Sequence, residues 1–236
     1  MNFRPISVLN RRTFRQNKGR NLVAALAIVL TTLLFTTLFV LSQSMSRNMI
    51  EMTFRQTGYD GQASFKSITE EQAAKIAAHP DVAETGYSMV VGIGQGKELS
   101  GRQVEIRFAD ESYAEHSFAK PVTGKMPQAA DEIALDNIVL DKLGIPHELG
   151  QRVTLEWIAD FQEEENRVSE FTLCGFWEGN ESSYASMAWV SREFAEDVTA
   201  QLEAADSGAA EEVPDSRLAG ICMGQVNLYS DREIEK

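Results

Sequence analysis

The residues that could do chemistry in this 236-residue chain are few and stand far apart. The three histidines are His79, His116 and His147, and none lies at metal-ligand spacing from another histidine or from a cysteine. The chain contains no GxSxG motif, no Walker A motif and no pair of carboxylates at catalytic spacing. The sequence therefore predicts a non-catalytic protein with no catalytic residue, no cofactor and no metal site.

The two cysteines, Cys174 and Cys222, leave two interpretations open. One disulfide between them is arithmetically possible. Two buried thiols are the alternative, because a cysteine side chain behaves as a small apolar group. The second interpretation is favoured, since Cys174 sits in an apolar strand pattern and a domain of this size does not need a disulfide.

An apolar run dominates the N-terminal part of the chain. No residue between Arg20 and Arg47 is charged, and Leu22 to Leu41 reads LVAALAIVLTTLLFTTLFVL. A bilayer core of ~30 Å needs ~20 apolar residues in a helix. The four threonines are compatible with a span, because a helical threonine can return its hydroxyl to a carbonyl one turn earlier. The run predicts one transmembrane helix.

The charges on either side of this run predict its orientation. Six basic residues and no acidic residue precede it: Arg4, Arg11, Arg12, Arg15, Lys18 and Arg20. Lysines and arginines close to a span stay in the cytoplasm, so we expect residues 47–236 to be exported. Those residues hold 16 basic against 35 acidic side chains, a formal charge of −19. Such an acidic domain repels phosphates, which argues against nucleic acid as a partner.

A cleaved signal peptide is the rival interpretation of the same run. Its apolar core would be ~7–15 residues long and end at a small-x-small cleavage site. Here the core is longer, and Ser44-Met45-Ser46 imitates such a site poorly. An uncleaved anchor is therefore favoured. The basic segment before it either lies in the membrane interface, with its apolar residues on lipid, or is only a positive tail.

The helix is expected to continue beyond the membrane as a stalk. Residues 42–57 contain neither proline nor glycine, and Gly58 is a plausible residue to follow the helix end. Met45, Met49 and Met52 repeat at helical spacing. This stripe is more typical of packing against a neighbouring helix than of a ligand or metal site.

Beyond Gly58 the pattern alternates short strands with short helices and predicts a mixed α+β domain. Thr69 and Gln72 have the spacing of a capping box that opens a helix. The run Glu163–Glu165 is expected to be a solvated turn between two strands. Strands are predicted at 62–66, 82–93, 103–109, 152–158, 167–177, 187–190 and 220–229, and helices at 70–79, 111–118, 137–143 and 191–205.

An ordered set of residues resembles a known family. PVTGKMPQAADEIALDNIVLDKLGI is followed by LGQRVTLEW and FTLCGFWEG. This is similar to the exported core domain of the FtsX/MacB-like permeases of ABC transporters, whose signature begins G-[RK]-x-P and continues through [DE]-E-I-x-L. The matching residues are turn glycines, caps and strand-facing apolar residues, which indicate a fold and not an active site: Gly124, Lys125, Pro127, Asp131, Glu132, Ile133, Leu135, Leu143, Gly144, Gly150, Val153, Leu155, Phe171 and Gly175.

The resemblance implies a bacterial cell-membrane protein whose partners are a cytoplasmic ABC ATPase subunit, a second permease subunit in a homo- or heterodimer, and membrane lipid. It implies a peptide or lipophilic substrate, or none where a permease activates a cell-wall hydrolase. Such permeases have three further membrane helices after the exported domain, so we expect this chain to be the N-terminal piece of a longer permease. The alternative is a single-pass membrane-anchored sensor or scaffold that works without an ATPase.

The predicted architecture is thus a membrane-anchored α+β protein with a MacB-like extracytoplasmic core domain. Residues 1–20 form a basic cytoplasmic segment, residues 21–43 the transmembrane helix and residues 44–58 the stalk. Residues 59–236 form the extracytoplasmic domain, which we expect to be incomplete at its C-terminal end. The acidic charge of this domain either attracts a cationic ligand or, as favoured, keeps the domain soluble.

The predicted topology can be tested by labelling single cysteines in intact cells. A cysteine placed at Ser182 should react with a membrane-impermeant reagent, whereas one placed at Asn10 should be protected, because basic residues near the span hold the N-terminus in the cytoplasm. The reverse labelling pattern would show that the chain is inserted the other way round.

Overall fold

The computed structural model describes residues 16–183, 185–206 and 217–229 of the chain. Its longest element is helix α1, Lys18–Thr57, which runs for 40 residues and has no buried residue. Gly58 follows the helix with a positive φ of 94°. Within the described residues, α1 is the one helix long and apolar enough to cross a membrane. It begins four residues before the apolar run, so Lys18 and Arg20 lie in its first turn.

The threonines of α1 behave as the sequence predicts. Thr31, Thr32, Thr36 and Thr37 each donate their hydroxyl to the carbonyl four residues earlier, at 2.6–2.8 Å. Their polar groups are thereby satisfied inside the helix, which is what a helix in hydrocarbon requires.

The chain divides into two compact units, the first ending at Met52 and the second beginning at Thr53. The second unit therefore includes the last turn of α1, whereas the sequence placed the domain boundary after residue 58. In that turn the guanidinium of Arg55 lies 4.7 Å from the ring centre of Phe118. A cation over an aromatic face is attracted by the ring quadrupole.

The second unit is a mixed α+β domain, as predicted. Its strands are β1 (Ala63–Lys66), β2 (Val82–Gln95), β3 (Gln103–Ala109), β4 (Thr123–Gly124), β5 (Glu132–Asp136), β6 (Arg152–Ile158), β7 (Arg167–Trp177), β8 (Ala185–Val190) and β9 (Cys222–Leu228). Its helices are α2 (Glu70–Ala77), α3 (Glu111–His116), α4 (Asn137–Leu143) and α5 (Arg192–Asp206).

The strands form one sheet that closes on itself. Along the sheet the order is β1-β9-β2-β3-β8-β5-β7-β4, and β6 pairs with both β2 and β7. Six strands, β2-β3-β8-β5-β7-β6, therefore complete a ring, with β3·β8 and β5·β7 parallel and the other pairs antiparallel. The sequence predicted seven of these nine strands, missed β4 and β5, and did not predict the barrel.

The strands outside the ring attach to the long strands β2 and β7. β2 pairs with β9 along its first half and with β6 at Ile93–Gln95. β7 pairs with β6 over its first half and with β4 at Gly175 and Phe176. β1 and β9 thus extend the sheet from one side of the barrel, and β4 extends it from another.

Buried apolar side chains alternate with exposed side chains along the strands, and the buried ones fill the barrel. In β6, Val153, Leu155 and Trp157 are buried, while Thr154 and Glu156 between them are exposed. Period-two alternation places one set of side chains on each face of a strand. The interior is a continuous apolar core that includes these residues together with Val91, Val104, Ile106, Ile133, Leu135, Phe171, Leu173, Ala188 and Val190. A second apolar cluster, which includes Tyr113, Trp177 and Trp189, lies on the outer face.

The predicted capping box of α2 is present, and α4 is capped at both ends. Thr69 and Gln72 form the capping box of α2. Asp136 caps α4 by accepting a hydrogen bond from the Val139 N–H at 2.8 Å, and Gly144 ends that helix in the left-handed region with φ 68°. Side chains that bond the first free N–H groups of a helix stabilise it by about 1 kcal/mol.

The turn between β6 and β7 differs from its prediction. Glu163 is not simply solvated: its carboxylate accepts a hydrogen bond from the Ala159 N–H at 2.8 Å and pairs with Arg167 at 2.7 Å. The carboxylate thus ties the turn to the strand that follows it, which a run of three glutamates does not reveal. Glu164 and Glu165 are exposed as expected.

A tight approach between β4 and β7 generates a prediction about two glycines. Gly124 and Gly150 have similar positive φ values, 86° and 83°. A Cβ at Gly124 would overlap the Cys174 carbonyl oxygen, whereas one at Gly150 would meet nothing within 4 Å. Gly124→Ala should therefore lower the free energy of unfolding by about 1–3 kcal/mol more than Gly150→Ala. Denaturant unfolding of the detergent-solubilised chain, followed by tryptophan fluorescence, measures the difference. Equal losses for the two variants would contradict the tight approach.

Candidate functional site at the end of helix α1

The segment that follows α1 is tied to the barrel by its backbone. The Asp60 N–H donates to the carbonyl of His116 at 3.0 Å, at the end of α3. Two residues later the Gln62 N–H donates to Val226 on β9 at 3.0 Å. The Gln62 side chain also accepts a hydrogen bond from the Leu228 N–H at 2.9 Å. The chain leaving α1 therefore has a defined path over α3 and β9.

His116 lies between two carboxylates at this place. Its Nδ1 is 2.6 Å from Asp60 Oδ1, and its Nε2 is 3.3 Å from Glu84 Oε2 on β2. The Asn227 amide on β9 lies 3.4 Å from Asp60 and 3.2 Å from His116. An imidazolium can donate to both carboxylates at once, whereas a neutral imidazole has only one N–H to donate. We call Asp60, Glu84, His116 and Asn227 the junction cluster.

The pKa of His116 is raised from its ordinary value. Burial by itself acts to lower it, but hydrogen bonds to Asp60 and Glu84, and then the negative charges of both carboxylates, outweigh burial. The pKa of Glu84 is lowered, first by a hydrogen bond from Ser112 and next by the one from His116. The junction cluster thus favours the charged histidine.

A strained residue completes the junction. Phe118 has a positive φ of 56°, which is uncommon for a bulky side chain and costs of order 1–3 kcal/mol. Its N–H donates to the Glu115 carbonyl at 3.0 Å, in the turn that ends α3. This conformation presents the ring to Arg55, on the last turn of α1.

A cleft of about 200 Å³ opens beside the junction. The last residues of α1, together with Gly58 and Tyr59, form one wall, and side chains from β3, α3, β8 and β9 form the rest. Arg107 on β3 pairs with Glu105 at 2.7 Å and donates to the Tyr113 hydroxyl at 2.9 Å. This arrangement can hold a small molecule, and it is close to the end of the helix.

The residues predicted at the membrane and on the stalk are not among those that line this cleft. Lys18 and Arg20 are exposed at the start of α1, and Arg11, Arg12 and Arg15 lie outside the described residues. Met45, Met49 and Met52 are each about 60% exposed on α1. Their packing against a neighbouring helix stays a prediction.

The residues of the family signature lie in turns, caps and close backbone contacts. The Glu132 carboxylate accepts hydrogen bonds from the N–H groups of Gln128 and Ala129 and pairs with Lys125 at 2.7 Å. These contacts lower the pKa of Glu132, the one from Lys125 contributing most. Pro127 is buried inside the same turn.

Two glycines of the signature have a related role. A Cβ at Gly175 would overlap the Lys125 carbonyl oxygen, just as one at Gly124 would overlap that of Cys174. The signature thus surrounds the place where β4 and the turn after it press against β7. None of its residues lines the cleft.

Both cysteines are free thiols, as favoured from the sequence. Cys174 is buried, which raises its pKa to about 11. Cys222 is half-buried and accepts a hydrogen bond from the Tyr87 hydroxyl at 2.9 Å. Among the described residues, no group of three or more histidine, cysteine, aspartate and glutamate side chains is placed to hold a metal ion.

Comparison with known proteins finds likeness only at the level of solved structures. No family model matches the sequence, and no curated protein matches it. One similar structure is the extracellular domain of the noncanonic ABC-type transporter YknZ from Gram-positive bacteria. It is 15% identical with a TM-score of 0.40, and the match covers 74% of this chain and 78% of that one.

A second similar structure is a domain described as part of a permease protein from Porphyromonas gingivalis. It is 12% identical with a TM-score of 0.34, and the match covers 64% of this chain and 58% of that one.

The junction cluster has no counterpart among the residues predicted from sequence. Asp60, Glu84 and Asn227 lie 56, 32 and 111 positions from His116 along the chain. His116 was expected to be isolated, and by sequence spacing it is. The fold brings it between two carboxylates, and no local pattern signals that contact.

The junction cluster predicts a pH-dependent contribution to stability. A histidine whose folded pKa is raised stabilises the fold fully below its unfolded pKa, ~6.5, and this contribution is lost as pH rises through the folded pKa. The loss of stability caused by His116→Gln should therefore be larger at pH 5.5 than at pH 8.5, measured by denaturant unfolding of the detergent-solubilised chain.

His147→Gln is the matched control. His147 pairs with one carboxylate, Asp141, at 3.0 Å on the exposed surface, where ion pairs contribute little. If His116→Gln lowers the free energy of unfolding by the same amount at both pH values, the junction cluster does not favour the charged histidine.

Proposed function

We propose that this chain is the N-terminal part of an ABC transporter permease subunit of the FtsX/MacB type. In this proposal the chain couples a cytoplasmic ATPase to an extracytoplasmic domain, for export or for mechanical signalling across the membrane. The chain itself is non-catalytic, and ATP hydrolysis belongs to the partner subunit. The observation that supports this best is the uninterrupted helix α1, which leads directly into the barrel domain.

The length of α1 exceeds what a membrane anchor needs. Forty residues at ~1.5 Å each extend ~60 Å, whereas the hydrocarbon core is ~30 Å thick. Between Asn21 and Thr57 the helix contains no glycine and no proline, the residues at which helices most often kink. A helix of this kind can carry a displacement from the membrane to its far end.

The junction supplies the next step of the proposed coupling. Arg55 on the last turn of α1 contacts Phe118, and the Asp60 that follows is bound to His116. Both partners belong to the end of α3, whose Tyr113 packs against Gly86 so closely that a Cβ there would lie 2.7 Å from its backbone. A displacement at the end of α1 would thus reach α3 and, through it, strand β2.

The proposed partners follow from the surface of α1. The basic residues at its start favour a cytoplasmic location for that end, where an ATPase subunit would bind. The exposed methionines Met45, Met49 and Met52 suit a second permease subunit, because methionine adapts to irregular apolar neighbours. The apolar length of the helix requires lipid.

A proline in α1 tests the proposed coupling. Met49→Pro removes one backbone hydrogen bond, clashes with the preceding turn and costs ~3 kcal/mol or more, which kinks the helix. In a complete permease, this variant should reach the membrane and bind its ATPase but lose ATP-dependent transport or hydrolase activation. Met49→Ala, which keeps the helix intact, should retain it.

Two results would count against the proposal. Full ATP-dependent function of Met49→Pro would show that α1 is only a tether. The absence of a neighbouring reading frame with Walker A and ABC signature motifs, together with the absence of membrane helices encoded downstream of Lys236, would favour the single-pass sensor instead.

A further inference from the structure

The junction cluster contains a hydrogen bond that the charged histidine does not use. When it is charged, His116 donates from Nδ1 to Asp60 at 2.6 Å and from Nε2 to Glu84 at 3.3 Å. The Asn227 amide nitrogen, 3.4 Å from Asp60, then donates to that carboxylate, because an imidazolium has no acceptor. The same amide nitrogen is 3.2 Å from His116 Nδ1, and this contact becomes a hydrogen bond only when Nδ1 carries no proton.

A neutral His116 cannot keep both carboxylates. Its single N–H goes to one of them, and the other carboxylate faces a ring lone pair. With the proton on Nε2, the ring keeps Glu84, and Nδ1 accepts from Asn227. With the proton on Nδ1, the ring keeps Asp60, and the lone pair of Nε2 is repelled by Glu84. The first arrangement satisfies both ring nitrogens, so it is the favoured one.

The charges around His116 make the loss of its proton disruptive. Among the described residues, two carboxylates face the ring, Asp60 from the segment after α1 and Glu84 from β2. β9 contributes the neutral amide of Asn227. The nearby charges of α3 and of the turn after it pair with one another: Glu111, Glu115 and Lys120. Deprotonation of His116 therefore leaves two negative charges without the positive charge between them.

The sheet decides which of the two carboxylates can move. Glu84 and Asn227 are direct partners in the β2–β9 ladder, so the backbone of both is fixed. Asp60 belongs to the connection between α1 and β1, two residues after Gly58. The side chains of His116 and Asp60 are 21% and 34% exposed, so water can reach both and the charge of the ring can follow the pH of the solvent.

We propose that the junction cluster is a proton-operated latch between the segment that leaves α1 and the barrel. When His116 is charged, it holds the Asp60 carboxylate. When the ring loses its proton, Nδ1 accepts from Asn227 and Asp60 is released. The latch itself depends only on groups of this chain. Its consequence rests on the proposed function, under which the pH outside the cell would set how firmly the end of α1 is attached to α3.

The tautomer of neutral His116 tests the latch. The full chain in detergent, labelled with 15N in its histidine rings, is titrated with acid and base and followed by NMR. The His116 ring should titrate above ~6.5, the value of an unperturbed histidine. Above its midpoint, the ring should carry its remaining proton on Nε2. A His116→Gln variant identifies its signals.

Two variants change the latch in different ways. Asn227→Leu removes the amide that replaces Asp60, so neutral His116 should carry its proton on Nδ1, where the shorter contact lies. Asp60→Asn keeps the shape of the side chain but removes its charge, so it should lower the titration midpoint of His116. Asp141→Asn, which removes the carboxylate beside His147, is the matched control and should leave the His116 titration unchanged.

Hydrogen exchange at the Gln62 amide measures the release of the segment. This N–H donates to the Val226 carbonyl, next to the latch. After division by the intrinsic exchange rate at each pH, its extent of opening should be at least about threefold greater at pH 8.5 than at pH 5.5. The amides of β6 should show no such difference, and the difference should disappear in Asp60→Asn.

Three results would overturn the latch. The first is a neutral His116 that carries its proton on Nδ1 in the unmodified chain, and the second is an unchanged titration midpoint in Asp60→Asn. The third is equal opening at Gln62 at both pH values. Because no ATPase is present, these results would leave the proposed coupling role unaffected. Conversely, full ATP-dependent function of Met49→Pro would contradict coupling through α1 and leave the latch in place.

Discussion

Strand β6 pairs with β7 along Arg152–Trp157 and with β2 at the other edge, and this double pairing closes the barrel. Gly92 permits it, because a Cβ there would overlap the Ile158 carbonyl oxygen. Once the ring is closed, the inward side chains of six strands share one interior, which explains the near-complete burial of Trp157 and Leu155. A closed sheet also leaves no unpaired edges within the ring. The outer face is then the place where α3, β9 and the end of α1 meet.

The outer face carries the groups of functional interest because the interior has no room for them. Apolar side chains fill the barrel, so Arg107, Glu105 and Gln225 can only lie outside it. Their partial burial comes from α3 and from the segment after α1. The same cover holds His116 between Asp60 and Glu84. The junction cluster and the cleft are therefore two results of one packing arrangement.

This arrangement places two interactions of different character near the end of α1. The contact of Arg55 with Phe118 depends on a strained backbone, whereas the contact of His116 with Asp60 depends on charge. Both connect the segment around the helix end to α3. Under the proposed coupling role, displacement of the helix would have to act against both, and the cleft wall formed by Gly58 and Tyr59 would move with the helix end.

The sequence by itself determined the local structure of this protein. An uninterrupted apolar run located α1, alternating patterns located the strands β3, β6 and β7, and a capping box located the start of α2, because these signals act within a few residues. The favoured free state of both cysteines also followed from local pattern. The resemblance to FtsX/MacB-like permeases came from turn and cap residues such as Gly144 and Glu132, which have local functions.

Only the tertiary structure decided the closure of the barrel, the junction cluster and the cleft. Each depends on contacts between residues far apart in the chain, such as those of His116 with Asp60 and Glu84. Hydrophobic periodicity predicts which side chains are buried, but it does not predict which residues they pack against. The identity of the partners, and with it the raised pKa of His116, arises only when the strands are brought together.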